Sequence, residues 1–131
     1  MKNYTIRKLW DAGAREVHIR PACPPLMFPC RFNISTRSIH ELAARKAIRC
    51  LEGHDLENVT EYIDHHSEKY RKMVEWIAND LEVTTLRYQT VDDMVKAIGL
   101  PREKLCLYCW TGEYMRKRQE ELQHHVLEKE R

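Results

Sequence analysis

A proline-rich stretch constrains the fold of this chain more than any other part of it. Four of the five prolines fall within residues 21–35. Each one fixes its backbone angle and lacks an amide donor, so this stretch cannot form a helix and is predicted to be a loop. The loop is too apolar for a free linker, and it is expected to pack against the rest of the protein. It carries Cys23, Leu26, Met27, Phe28, Cys30 and Phe32.

The residues before the loop predict a helix followed by a strand. Ile6, Leu9 and Trp10 share one face of a helix over residues 4–11, which Gly13 ends. Residues 15–20 alternate between apolar and polar side chains, as a half-buried strand does. A helix, a glycine turn and a strand make up half of a βαβ unit, whose first strand would precede the helix. The chain has no room for that strand before the helix, which predicts that the chain is a fragment.

The residues after the loop predict four helices and one strand. Ser38 and Glu41 have capping-box spacing at the start of a helix that Gly53 ends. Asp55 is expected to cap a short helix through Asp64, and Ser67 a longer one. Residues 83–88 are β-branched and aromatic, which favours a second strand. Thr90 then caps a helix through Ile98, which Gly99 and Pro101 end. The side chains expected to be buried are Ile39, Leu42, Ala43, Ile48, Leu51, Leu56, Val59, Ile63, Tyr70, Met73, Val74, Ile77, Leu81, Val91, Met94, Val95 and Ile98.

Together these patterns predict an α/β protein with few strands, divided into three parts. Residues 1–35 form part of an α/β unit with the proline-rich loop. Residues 36–112 form a helical cap that contains one strand and a Cys-x-x-Cys pair. Residues 113–131 form a charged helix or tail, in which Met115, Leu122 and Val126 make a thin apolar stripe.

Composition narrows the classes of partner and the cellular compartment. The net charge of +2 and the pI of about 8.3 give no reason to expect a nucleic-acid partner. The apolar runs are far shorter than the ~18 residues that a membrane span needs. The N-terminus lacks the apolar region of a signal peptide, so we expect a cytoplasmic protein with reduced thiols. The five cysteines cannot all pair, which also disfavours a disulfide framework.

Cys106 and Cys109 are the only two metal-capable side chains at Cys-x-x-Cys spacing. A zinc site would need two further ligands. An iron–sulfur cluster would use Cys30 as a third ligand and would need one more. From the spacing alone, two structural thiols remain an alternative. A redox role is disfavoured, because the pair does not lie between a strand and a helix N-terminus, where thiol pKa values fall.

The remaining polar clusters have simpler explanations than catalysis. Asp92 and Asp93 suit the first turn of a helix, where their charge favours the helix dipole. The chain shows no glycine-rich phosphate loop and no Ser-His-Asp order, so no catalytic residue is assigned. The other clusters are expected to be solvated: His18, His40, the adjacent histidines 65–66 and 124–125, and the charged run 116–121.

Taken together, the motifs resemble the C-terminal half of the amidophosphoribosyltransferase family over residues 5–113. The most specific part is the Gly-Ala-Arg-Glu-Val-His strand with the Pro-Pro and Pro-Cys motifs after it. The matching motifs, in order, are residues 12–20, Cys23-Pro24-Pro25, Phe28-Pro29-Cys30, Ser35-Thr36-Arg37 with Leu42, Leu86-Arg87-Tyr88, and Cys106-x-x-Cys109-Trp110-Thr111-Gly112.

The resemblance implies a type I phosphoribosyltransferase fold completed by C-terminal helices. Enzymes of the family release ammonia from glutamine and transfer it to phosphoribosyl pyrophosphate, bound with Mg²⁺, to form phosphoribosylamine in the opening step of purine synthesis. Some members bind a [4Fe–4S] cluster through four cysteines, and Cys30, Cys106 and Cys109 match three of them. The implied partners are the remainder of the enzyme or a second copy, since the full-length family forms homo-oligomers.

The chain also departs from the family pattern. It lacks the N-terminal nucleophilic cysteine of the glutaminase and the aspartate pair with its Gly-Thr-Thr loop. The fourth cluster cysteine falls in the missing part, and Cys23 occupies a position that is usually small and hydroxylated. The chain alone is therefore expected to be inactive. Two other hypotheses are a non-catalytic interaction module that docks through residues 113–131, and a small zinc protein that uses the three cysteines and a histidine.

Overall fold

The computed structural model describes residues 4–32, 34 and 36–113. These residues form six α-helices, two short strands and two 3₁₀ turns. In chain order the helices and strands are α1 (Tyr4–Asp11), β1 (His18–Ile19), α2 (Ala43–Glu52), α3 (Thr60–Ile63), α4 (Glu68–Asp80), β2 (Thr85–Leu86), α5 (Val91–Ile98) and α6 (Tyr108–Thr111). The 3₁₀ turns are Ile39–Glu41 and Arg102–Lys104.

The two strands form a small parallel sheet. His18 pairs with Thr85 and Ile19 with Leu86, so helices α2 to α4 lie on the connection between them, as parallel pairing requires. The amide of Thr84 also donates to the Val17 carbonyl at 2.8 Å. Strands were predicted over residues 15–20 and 83–88, and only two residues of each range have strand conformation. The described residues are thus a helix-rich mixture with a parallel sheet, compatible with the α/β class.

The core lies between α2 and α4, and the proline-rich loop closes it. Met27 of that loop is 1% exposed, which confirms that the loop packs. The face that α2 buries differs from the predicted one, since Ala43 is exposed and Leu51 is 41% exposed. Ile98, which was also expected to be buried, is exposed. The core cluster comprises Met27, Ala44, Ala47, Ile48, Val59, Tyr62, Met73, Ile77 and Leu86.

The start of α2 was predicted too early. Ser38 does cap a turn, because its hydroxyl accepts from the His40 amide at 3.2 Å. That turn is a separate 3₁₀ segment, and the backbone of Leu42 is extended (φ −75°, ψ 123°) before α2 begins. A helix continuous from Ser38 would have placed different side chains on the buried face.

The segment 55–64 contains one helical turn and not a full helix. The Asp55 carboxylate accepts from the Leu56 amide at 3.0 Å and pairs with Arg45 and Arg49. It therefore binds two side chains of α2 in addition to its local amide. The Asn58 side chain accepts from the Thr60 amide at 3.0 Å where α3 begins. The prediction of a helix from Asp55 was wrong because the sequence does not show this longer-range pairing.

The capping predictions for α4 and α5 are confirmed. Ser67 accepts from the Tyr70 amide at 3.0 Å, and Thr90 from the Asp93 amide at 3.1 Å. Gly99 ends α5 at φ 73°, in the left-handed region that glycine adopts without steric penalty. These signals lie within a few residues of the structure they specify.

Replacing Thr90 with alanine is expected to lower the free energy of unfolding by about 1 kcal/mol, since one amide of α5 loses its acceptor. Urea unfolding followed by circular dichroism measures the loss. Thr90→Ser retains a capping hydroxyl and should stay within about 0.5 kcal/mol of the parent. Equal losses in the two variants would contradict a capping role.

The unfolding free energy is also expected to fall between pH 10 and pH 12. Burial, followed by the hydrogen bond with Glu52, raises the pKa of Tyr62 from 10.0 to about 12. Because the folded state favours the protonated phenol, its contribution is complete below pH 10 and is lost as the pH rises through 12. Urea unfolding at about pH 9 and about pH 11.5 checks this. The fall should be smaller in Tyr62→Phe, and an unchanged fall would contradict the assignment.

Within the described part of the chain, no helix is both long and apolar enough to cross a membrane. Most of the predicted charged helix or tail, 113–131, lies outside the described residues. Glu113 is the last residue described, and it follows Gly112, the residue that ends α6.

Candidate thiol site

The proline-rich loop is attached to α6 at the backbone of Cys109. The carbonyl of Cys109 accepts from the Met27 amide at 2.8 Å and from the Phe28 amide at 3.0 Å. Since α6 has only four residues, its last carbonyls lack partners within the helix and can accept from elsewhere. A short helix that ends at Gly112 therefore provides the acceptor that fixes the loop.

Aromatic contacts reinforce this attachment. The rings of Phe28 and Tyr108 lie 5.5 Å apart at a tilt of 41°, an arrangement that aromatic pairs favour. Gly112 ends α6 at φ 74°, and a Cβ placed there would lie 2.8 Å from Cε2 of Phe28. The absence of a side chain at Gly112 thus lets the Phe28 ring lie against the end of α6.

The loop places Cys30 beside Cys109. The Cys30 amide donates to the carbonyl of Thr36 at 3.0 Å and to its hydroxyl at 3.2 Å, which fixes the backbone at Cys30. Cys30 is among the groups that raise the pKa of the Cys109 thiol, so the two thiols are neighbours. Residues far apart in sequence therefore meet as neighbouring thiols.

Cys106 completes the group. Burial raises the pKa of the Cys109 thiol, and the nearby charges of Cys30 and Cys106 and the hydrogen bond with Cys30 raise it further. Cys106 is exposed, whereas Cys30 and Cys109 are partly buried. The structure thus brings together the three cysteines singled out in the sequence, while their role as ligands stays a prediction.

The geometry does not favour a site for a single metal ion. Among residues 4–32, 34 and 36–113, no three His, Cys, Asp or Glu side chains are arranged to hold one ion. A [4Fe–4S] cluster makes a different demand, because each cysteine binds a different iron and the sulfurs lie further apart. Of the two other cysteines, Cys50 lies on α2 and Cys23 lies near Tyr88.

Two arginines lie over the aromatic pair beside the thiols. The guanidinium of Arg31 is 4.8 Å from the centre of the Tyr108 ring, and that of Arg45 is 5.9 Å from the Phe28 ring. Such contacts are favourable cation–π interactions. Sequence reasoning missed Arg45 because nothing in a helix pattern distinguishes it from the solvated charges of α2.

Arg45 is nevertheless buried, with 4% of its surface exposed. Its Nη2 donates to the Leu56 carbonyl at 2.7 Å and pairs with Asp55 at 3.0 Å. Its Nε and Nη1 are buried without a hydrogen-bond partner among the described residues. Desolvation accordingly lowers the pKa of Arg45, and Asp55 is the carboxylate that compensates its charge.

His18, His40, His65 and His66 are exposed, as predicted. The rings of His65 and His66 lie 3.9 Å apart, because the two residues occupy a turn and not a helix, on which they would point apart. His18 has a carboxylate partner, with Nε2 3.0 Å from Glu16, and its Nδ1 lies 2.8 Å from the hydroxyl of Thr85. These contacts link β1 to β2 at the protein surface. His124 and His125 lie outside the described residues.

The aspartates at the start of α5 have the predicted place. Asp92 and Asp93 lie in its first turn, and Asp92 pairs with Arg102 at 3.1 Å. The Asp92 side chain is 87% exposed, which fits a solvated ion pair at the helix N-terminus.

Comparison with curated proteins relates most of the chain to one enzyme family. The amidophosphoribosyltransferase of Methanocaldococcus jannaschii is 34% identical over 103 residues, which is 79% of this chain and 16% of that protein. The amidophosphoribosyltransferase of Mycobacterium tuberculosis is 32% identical over 109 residues, which is 83% of this chain and 17% of that protein. The amidophosphoribosyltransferase of Methanothermobacter thermautotrophicus is 29% identical over 104 residues.

The chain spans about one sixth of the length of these curated relatives. No family model matches it, and no solved structure matches it significantly. The matched residues make up about four fifths of the chain. The chain is therefore homologous to a segment of the amidophosphoribosyltransferases.

Proposed function

We propose that this chain is the C-terminal segment of an amidophosphoribosyltransferase-type enzyme and supplies three cysteine ligands to a [4Fe–4S] cluster. The observation that supports the cluster most is the convergence of Cys30, Cys106 and Cys109 from two distant parts of the chain. The enzyme would form phosphoribosylamine from phosphoribosyl pyrophosphate and glutamine. The type I phosphoribosyltransferase fold belongs to the same proposal.

The donor set suits the cluster. Cysteine thiolates are the usual ligands of [4Fe–4S] clusters. The partly buried surroundings of Cys109 raise its thiol pKa, so the bare thiolate is disfavoured there, and bonding to iron would offset that cost. Arg31, which lies over the Tyr108 ring, adds positive charge next to the thiol group. A fourth ligand would come from another part of the enzyme or from a small thiol.

The role that these residues support is structural and not catalytic. Cys30 belongs to the proline-rich loop, whereas Cys106 and Cys109 lie at α6. A cluster held by all three would join the loop to α6, adding to the bonds from Met27 and Phe28 to Cys109. The glutaminase, the phosphoribosyl pyrophosphate site and its Mg²⁺ would belong to the remainder of the enzyme.

The small size of the sheet supports a partner that contributes further strands. The described residues contribute two strands of two residues each, and a sheet of that size is marginal by itself. Strands from the remainder of the enzyme, or from a second copy of this chain, would extend it. The full enzyme is proposed to be a cytoplasmic homo-oligomer.

A segment exchange tests the proposed function. The matching segment of the Methanocaldococcus jannaschii relative is replaced with residues 5–113 of this chain, and phosphoribosylamine formation is measured. The chimera should retain activity, while the same chimera with Cys109→Ser should lose most of it together with bound iron. The exchanged segment with Cys50→Ser is the matched control, since Cys50 is exposed on α2. A folded chimera that holds no iron, or is inactive with iron bound, would contradict the proposal.

A further inference from the structure

We propose that residues 114–131 bind in cis to a groove between α4 and β2, so that this segment covers an apolar surface of its own chain. The groove has an apolar floor of five side chains: Tyr70, Val74, Ala78, Leu86 and Tyr88. The inference does not depend on the proposed function, because no proposed cluster ligand takes part in it.

The groove is large enough to hold side chains of another segment. Its volume is about 770 Å³. Leu86 is buried, and the other four residues of the floor are half-buried and pack against the core. Each of these four side chains therefore still exposes apolar surface that a further element could cover. An amphipathic segment that lays its apolar side into such a groove is a common mode of recognition.

The described part of the chain ends beside this groove. A second cavity, of about 290 Å³, is lined by Glu113, the last residue described. His65, Tyr70 and Thr90 line both this cavity and the groove, so the two spaces adjoin. The next residues of the chain therefore start at a depression that leads to the floor between α4 and β2.

The segment is long enough to cover the floor. As a helix, residues 114–131 would extend about 27 Å, whereas Tyr70 and Ala78 lie only about 12 Å apart along α4. An isolated helix of that length is marginal in water and needs a surface to pack on. The stripe of Met115, Leu122 and Val126 supplies the apolar side that would face the groove.

The order of charges along the segment matches the order along this surface. At the cavity, Asp92 and Glu113 share one guanidinium, that of Arg102, at 3.1 and 3.9 Å, which leaves an excess of negative charge. The basic run 116–118 follows Glu113 directly.

The acidic residues come next, where the surface offers a free cation. Arg87 lines the groove and is exposed, and it has no carboxylate partner among the described residues. Glu120 and Glu121 follow the basic run and would reach the groove after it. This agreement favours the chain's own segment as the occupant, since an unrelated partner would not need to carry the two charges in this order.

Carbodiimide cross-linking of the full chain tests the proposal, because this reagent joins a lysine amine to a carboxylate that touches it. The sample is an equal mixture of unlabelled and ¹⁵N-labelled chain, and the links are mapped by mass spectrometry of peptides. We expect Lys129 to be linked to Glu68 or Glu75, two carboxylates that line the groove. Both linked peptides should carry the same isotope, as a link within one chain requires.

Two variants of the segment separate docking from chance contact, and neither changes the folded core. Leu122→Asp places a charge in the apolar stripe and should lower the yield of the link about tenfold or more. His124→Asp adds the same group on the opposite side of a helix and should keep the link. Absence of the link in the parent chain, or equal yields in the two variants, would overturn the proposal. Links of mixed isotope would also overturn it, because the occupant would then be a second copy.

Discussion

Replacing Asp55 with asparagine is expected to lower the free energy of unfolding by about 3 kcal/mol. Arg45 is buried in α2, and Asp55 pairs with it at 3.0 Å. Asparagine has nearly the same shape, so the change removes the compensating charge and leaves a buried guanidinium that already has two donors without partners. Urea unfolding measures the loss.

The exposed pair of Lys46 and Asp80 provides a matched control. It has a similar N–O distance, 2.8 Å, but its side chains are 51% and 40% exposed. Asp80→Asn should therefore lose less than about 1 kcal/mol. Adding Arg45→Met to Asp55→Asn should recover part of the loss, because the uncompensated charge is then gone. Equal losses at Asp55 and Asp80 would contradict the account of Arg45.

Replacing Gly112 with alanine is expected to lower the free energy of unfolding by about 2–4 kcal/mol. Of this, about 1 kcal/mol reflects a left-handed backbone that alanine tolerates poorly. A further ~1–3 kcal/mol reflects crowding, because the new Cβ would lie 2.8 and 2.9 Å from two atoms of the Phe28 ring. Tyr108 and Arg45 lie beside that ring and limit its movement. Thermal or urea unfolding measures the effect.

Gly99 offers a control that has the same left-handed backbone conformation but no atom close to the position of an added Cβ. Its φ is 73°, and a Cβ there would meet nothing within 4 Å. Gly99→Ala should therefore show only the backbone part, about 1 kcal/mol. Adding Phe28→Leu to Gly112→Ala should lessen the extra loss by making room. If the two alanine variants were equally destabilised, the contact between Phe28 and the end of α6 would not be tight.

The sequence predicted well the features that depend on neighbouring residues. The capping residues Ser67 and Thr90 and the terminating Gly99 each act on amides or backbone angles a few positions away, so their local pattern suffices. The same holds for the loop, where the prolines themselves forbid helix. The resemblance to the amidophosphoribosyltransferases, which rested on an ordered series of motifs, is confirmed by the matches to curated proteins.

Features that depend on distant contacts were predicted poorly. Asp55 caps no helix, because its carboxylate pairs with arginines of α2. Ile98 is exposed because helical periodicity identifies an apolar face without saying how much of it another element covers. The contact of Cys30 with Cys109 is of the same kind, since bonds from the loop to one carbonyl of α6 produce it. The spacing of Cys106 and Cys109 alone did not distinguish a metal site from two structural thiols.

Iron and sulfide content after anaerobic reconstitution tests the central proposal most directly. The chain is reconstituted with iron, sulfide and a small thiol that can occupy the fourth position. We expect about four iron and four sulfide per chain, with large losses in Cys30→Ser, Cys106→Ser and Cys109→Ser and none in Cys50→Ser. A chain that takes up no cluster, or one that keeps its full content when any of the three cysteines is replaced, would contradict the proposal.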